Sequence, residues 1–125
     1  MIVSRLRPGQ DLKEGIESMV KEGDLNSGVL LCIVGSLNAA TLRMSNENKR
    51  IFKGPFEIVS AEGTLSADRI HVHLAVSDHE GMVFGGHLLD GCEVHTTAEI
   101  CVLETPKPLK RVFDPETGYR ELSVG

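Results

Sequence analysis

Apolar and polar residues alternate with a period of two through most of this chain, and the pattern changes to a helical period only once. Side chains on a strand point alternately to opposite faces, so a two-residue repeat marks a strand with one buried face. Residues 2–6 read as such a strand, ended by Arg7-Pro8-Gly9 as a turn. Leu12, Ile16, Met19 and Val20 then fall on one helical face, with Asp11 as the cap, Glu14 three residues later as in a capping box, and Gly23 as the stop. The run 28–35 is apolar on both faces and predicts a central strand covered on each side. Short alternating pieces follow at 40–44, 56–60 and 63–66, separated by turn residues, with 45–53 as the longest polar and most mobile loop. A hairpin is expected across 70–88, a strand over 92–103 with Val94, Thr96, Ala98, Ile100 and Val102 on one face, and a final hairpin over 109–122 turning at 115–118. Many strands, one convincing helix and short connections predict an α+β fold: a compact antiparallel β-rich single domain over 1–125. One helix is too narrow to cover so much Val, Ile and Leu, so homo-oligomerisation is expected to cover the rest.

Composition narrows the function. With 125 residues, 41% hydrophobic and 25% charged, the chain is long enough for one real core. No apolar run is long enough to span a bilayer, and the start lacks a secretory pattern, so a cytoplasmic protein without a membrane partner is expected. Three cysteines without a Cys-x-x-Cys pair fit reduced, buried thiols. A net charge of −5 argues against broad phosphate binding; the densest basic group, and the candidate DNA contact, is Arg43, Lys49, Arg50 and Lys53. Aromatic residues make up only 4% of the chain, which leaves little for base stacking.

The candidate chemistry lies in three histidines. His71 and His73 are two apart in an apolar run and share a face if that run is a strand; His87 follows Gly85-Gly86. A three-residue loop at 79–81, with Gly81 left-handed, pairs Asp78 with Met82 and puts His73 opposite His87 with His71 on the diagonal. The same register sends Val72, Leu74, Val76, Phe84 and Leu88 to the other face, whereas a one-residue slip mixes His87 with them. Three convergent imidazoles are a suitable ligand set for zinc or another divalent transition metal. A lone strand histidine is more often simply half-exposed, so the argument rests on all three. His79 and His95 are expected in solvent.

The set Gly35-Ser36-Leu37, Ala40-Thr41-Leu42-Arg43, Gly54-Pro55-Phe56-Glu57-Ile58-Val59-Ser60, His71-Val72-His73-Leu74, Gly85-Gly86-His87-Leu88 and Gly91-Cys92 with Thr96-Thr97-Ala98-Glu99 resembles the PPC domain, the plants and prokaryotes conserved family. The resemblance covers nearly the whole chain. It implies a PPC-like α+β fold, a homotrimer, and a binding or regulatory role that carries a predicted DNA-binding label. It also implies contacts to a regulatory protein through Gly54, Phe56, Glu57 and Ile58, although Pro55 stands where an arginine is usual. The Arg-Gly-Arg-Pro core of an AT-hook, the minor-groove element of the plant proteins, does not occur.

The expected function is therefore an oligomeric binding or regulatory protein with a metal or small ligand at His71, His73 and His87. The alternative is a metal-dependent enzyme using the same cluster, with Glu57, Glu93, Glu99 or Asp78 as base; Asp78 stands about where cupins carry a glutamate after their His-x-His. There is no Gly-x-Ser-x-Gly nucleophile elbow and no glycine-rich loop opening a helix.

Overall fold

The computed structural model describes residues 1–23 and 25–124. Among them the elements run β1 (Ile2–Leu6), α1 (Leu12–Lys21), β2 (Ser27–Arg43), β3 (Lys49–Ser66), β4 (Ile70–Ser77), β5 (Val83–Leu88), β6 (Val94–Glu104), β7 (Leu109–Asp114) and β8 (Tyr119–Val124). The main sheet is antiparallel in the order β1-β6-β2-β3-β4-β5, and β5 also pairs with the end of β2 through Leu42↔Leu88 and Arg43↔His87. Strands β2 to β5 thus close on themselves, and β6 and β1 extend the sheet from the other edge of β2. β7 and β8 form a separate hairpin. This is the expected α+β class, weighted heavily toward antiparallel β.

The helix forms as the pattern predicts, with Leu12, Ile16 and Val20 buried and Met19 packed beside them. Asp11 does more than cap it. Its Oδ2 accepts the Glu14 N–H at 3.1 Å, while Oδ1 accepts the N–H groups of Gly91 and Cys92 at 2.8 and 2.9 Å. One carboxylate therefore fixes the helix start to the loop that leads into β6.

Two expectations change. The pieces 28–35 and 40–44 are one 17-residue strand, and 56–60 and 63–66 belong to an 18-residue strand starting at Lys49. Register shifts at Leu37/Ala39 and Ile58/Ser60 let these strands bend without ending, and the same small residues that mark a turn also mark a bulge. The presumed long loop 45–53 shrinks accordingly to a tight turn between Arg43 and Lys49. Nor is β2 covered on both faces within the chain. Leu30 and Ile33 are buried, but Leu31 and Val34 are 46% and 59% exposed. Val3, Cys101 and Cys32 line up across β1, β6 and β2 on this outward face, with Val29 opposite Leu103 further along.

The cysteines divide accordingly. Cys32 is exposed and lies opposite its half-buried register partner Cys101, contrary to the expectation of buried thiols. Only Cys92 is buried; its Sγ lies between the Thr41 N–H and C=O, and burial pushes its thiol up to about 11.

Asp11→Ala removes a helix cap and two charge-assisted hydrogen bonds. It should lower stability by about 2–3 kcal/mol, read as a lower urea midpoint at unchanged slope. Glu14→Ala, whose side chain makes no reciprocal capping bond, should cost no more than about 0.5 kcal/mol.

Candidate metal centre

The site is built by the β4–β5 turn. The Asp78 N–H donates to the Met82 carbonyl at 2.9 Å, Gly81 sits at φ +84, and Asp78 Oδ1 accepts the N–H groups of Glu80 and Met82. This is the expected three-residue loop, and it sets His73 opposite His87. Val72, Leu74, Val76 and Leu88 are buried on the other face and Phe84 packs beside them. A Cβ on Gly86 would stand 2.8 Å from the Arg43 carbonyl, so the close approach of β5 to β2 needs a glycine there.

The three rings converge. Centroids lie 5.0 Å apart for His71 and His73, 5.1 Å for His71 and His87, and 5.7 Å for His73 and His87. One ring nitrogen from each lies within 4.8 Å of the others. Metal–nitrogen bonds of about 2.0–2.1 Å place tetrahedral ligand atoms about 3.3 Å apart, so binding needs only a modest inward turn of the rings. Neutral imidazoles and the absence of competing thiolates in the cluster fit a divalent first-row ion.

Direct cross-strand partners extend the site. His71 lies opposite Thr64, His73 opposite Glu62, and His87 opposite Arg43, whose Nη2 is 3.4 Å from His87 Nδ1. A cleft of about 210 Å³ opens beside His71 and His87, lined by Arg43, Arg69, Arg111, Tyr119, Arg120 and Glu121. The β7–β8 hairpin supplies four of these residues and is held by Asp68, whose Oδ2 accepts the Arg111 N–H at 3.3 Å and faces Arg120 Nη2 at 3.4 Å. The Ser66 hydroxyl on Asp68, followed by the Arg111 N–H and the Arg120 charge, holds that carboxyl below the usual range. Desolvation, then the charges of Arg111 and other nearby groups, lowers the His71 imidazole; desolvation and then Arg43 bring His87 down to about 4.

The other candidate residues scatter. Arg43 belongs to the histidine cleft. Lys49 is the register partner of Arg43 and lies with Lys53 on one face of β3, while Arg50 is on the other, 4.6 Å over the Phe52 ring, so the four basic residues form no single patch. Phe56 and Ile58 are core residues, and a Cβ on Gly54 would meet the Leu37 and Asn38 carbonyls at 2.8 Å; of the four candidate residues, Glu57 alone presents its side chain to solvent. None of the proposed bases reaches the histidines: Asp78 is engaged in the turn, Glu57 pairs with Ser77 near it, Glu99 lies opposite Arg5, and Glu93 bridges to Asp11. Among the described residues, the carboxylates that border the cluster are Glu47, Glu62 and Glu121. His79 and His95 are exposed as expected. Sequence reasoning missed Arg69, Arg111, Tyr119 and Arg120, which no local spacing links to the histidines.

The model of the Plants and Prokaryotes Conserved (PCC) domain family matches residues 1–106. The bifunctional protein GlmU of Synechococcus sp. strain JA-2-3B'a(2-13) is 42% identical over 122 residues, covering 96% of this chain but 19% of that protein. The chain thus spans about a fifth of the length of the curated relatives it matches. Among solved structures, a hypothetical protein from Salmonella enterica is 34% identical with a TM-score of 0.94, over 99% of this chain and 91% of that one. The metal-containing protein AF0104 of Archaeoglobus fulgidus is 26% identical with a TM-score of 0.77, over 98% and 91%. A protein from Ralstonia eutropha JMP134, described as a candidate DNA-binding protein, shares the fold at 24% identity and a TM-score of 0.85, over 98% and 90%.

The depressed imidazoles set a pH dependence for the metal-free protein. Unfolded, these histidines take up protons near 6.5, while folded His87 resists until about 4, so the unfolded chain binds more protons in that window. Stability should be full above 6.5, fall as pH drops toward 4, and lose nothing more from this group below that. Thermal melts of chelator-treated protein should show the fall, and His87→Gln should flatten it.

Proposed function

We propose, on the premise that this chain belongs to the Plants and Prokaryotes Conserved domain family, that it is an oligomeric binding protein in which His71, His73 and His87 hold zinc or another divalent transition metal. The observation that carries this reading is the convergence of one nitrogen from each of three histidines within 4.8 Å, on a face whose reverse is core. The low His71 and His87 pKa values favour the same conclusion, because ligation requires the neutral ring. The Archaeoglobus protein described as metal-containing, 26% identical over nearly the whole chain, adds support. A bound divalent ion supplies Lewis acidity, and three protein ligands leave it further positions for water or a ligand.

A metal-dependent enzyme is the second reading, favoured by Glu62 opposite His73 and Glu121 in the cleft, either of which offers a carboxylate for proton transfer. Self-association into a trimer is proposed from the family resemblance and from the outward stripe of Val3, Leu31, Val34 and Leu103, apolar surface that the chain's own helix does not cover. DNA has the description of the Ralstonia protein behind it, but here the basic residues of β3 are split between two faces and the net charge is −5. Among the described residues no helix is long and apolar enough to cross a membrane.

Protein purified without a histidine tag should carry about one metal per chain by elemental analysis. His73→Ala should lose it while changing stability by less than about 1 kcal/mol, since this side chain is exposed and the packing lies on the other face. An equally loaded His73→Ala variant would sink the metal reading. Light scattering should give three times the 13.6 kDa chain mass at micromolar concentration, and a monomer would remove the trimer.

A further inference from the structure

We propose that the mouth of the histidine site is a receptor for a small ligand bearing a carboxylate or phosphate group, which sits among Arg43, Arg69, Arg111 and Arg120 with Tyr119 beside it. The inference deepens the metal reading and rests on it only for the ligand's second anchor, at the histidines.

Charge carries the first step. Four arginines face one glutamate in this cleft, on a chain whose net charge is −5, so the cluster is not a sample of general basicity. Among the described residues, only Arg120 of the four has a carboxylate within salt-bridge reach, Asp68 at 3.4 Å. Arg43 faces an imidazole nitrogen instead. Like charges that outnumber their counter-charges raise the energy of the folded state, and an anion between them relieves it.

Arg111 carries the second step independently. It is 6% exposed, its Nη2 donates to Thr64 Oγ1 at 2.6 Å, and its Nε has no hydrogen-bond partner among the described residues. A buried guanidinium is costly unless its donors are met, and the planar fork of Arg is shaped for two oxygens of one oxyanion. The surroundings hold it in place: Asp68 takes its backbone N–H, and Arg120 Nη2 donates to its carbonyl at 2.8 Å. That placement is a property of the docked hairpin rather than of a free side chain.

Size carries the third. About 210 Å³ is less than a drug-sized pocket, so the arginine end of the site takes a compact anionic group, and a neighbouring cleft of about 510 Å³ shares Arg43, His87 and Tyr119 with it. With His71 and His87 on the same wall, such a molecule can place its anionic group among the arginines and a second donor atom toward the imidazoles.

The test is calorimetric titration of the full chain at low ionic strength, metal-free and zinc-loaded, with inorganic phosphate and malonate as separate probes. At least one probe should bind saturably. Arg43→Gln and Arg69→Gln should each weaken it about tenfold or more in the metal-free protein. Arg111→Lys, which keeps the charge and loses the fork, should fall between them and the parent. Preference for phosphate identifies a phosphorylated ligand, preference for malonate a carboxylate. No saturable binding of either probe up to about 10 mM in both metal states, or equal binding by Arg43→Gln and Arg69→Gln, overturns the inference. Zinc content separates it from the metal reading. A chain that takes no zinc but binds a probe through its arginines keeps the anion receptor and loses the metal; a zinc-loaded chain that binds neither probe does the reverse.

Discussion

Strand β5 is paired on both of its edges, along β4 and again at the end of β2. A strand held from two sides cannot slip by one residue without breaking both ladders and turning every side chain over. Here the slip would expose Leu88, now 1% accessible, and drive His87 inward. Exposing one buried leucine costs about 1.5–3 kcal/mol, and burying an imidazole without partners costs a further 1–3 kcal/mol or so. The packing of the closed ring therefore enforces the geometry of the histidines on its outside. The same pairing brings Arg43 opposite His87, so the first positive charge of the cleft arrives by the register that gathers the histidines.

What was legible in the sequence was local. The helix, its Asp11 cap and the β4–β5 hairpin could be read because a few adjacent residues decide them, and the parity of one three-residue loop placed three histidines on one face. The long strands could not be divided correctly. Gly35-Ser36 and Gly54-Pro55 read as interruptions, while the structure uses this neighbourhood to bend β2 and β3 through a register shift. The acid groups failed for a related reason: Asp78 is near His73 in sequence, but strand geometry carries it past the end of β4 and the turn occupies its Oδ1. Glu62, eleven residues before His73, stands directly across from it.

The arginine wall was illegible for a different reason. Arg111, Tyr119 and Arg120 reach the histidines only because the terminal hairpin docks against β3, and the docking group is Asp68, a residue with no motif around it. The family match ends at residue 106 and the hairpin begins at Leu109. The histidine face thus lies within the matched region, and four of the cleft's residues, Arg111, Tyr119, Arg120 and Glu121, come from beyond it.

Those arginines act on the site in two opposed ways. Their charge helps keep His71 and His87 unprotonated, which prepares them as ligands, yet the same charge repels a divalent cation. Two unit charges 4 Å apart interact by about 4 kcal/mol at an effective dielectric near 20, so the repulsion is comparable to much of a binding energy. An anion among the arginines cancels it. In the proposed complex the anion must therefore strengthen metal binding, and by linkage the metal must strengthen anion binding by the same factor. In that complex metal and anion are two halves of one occupant: the closed ring of β2 to β5 holds the histidines and Arg43, and the docked β7–β8 hairpin brings Arg111 and Arg120 to where a single small molecule can bridge them.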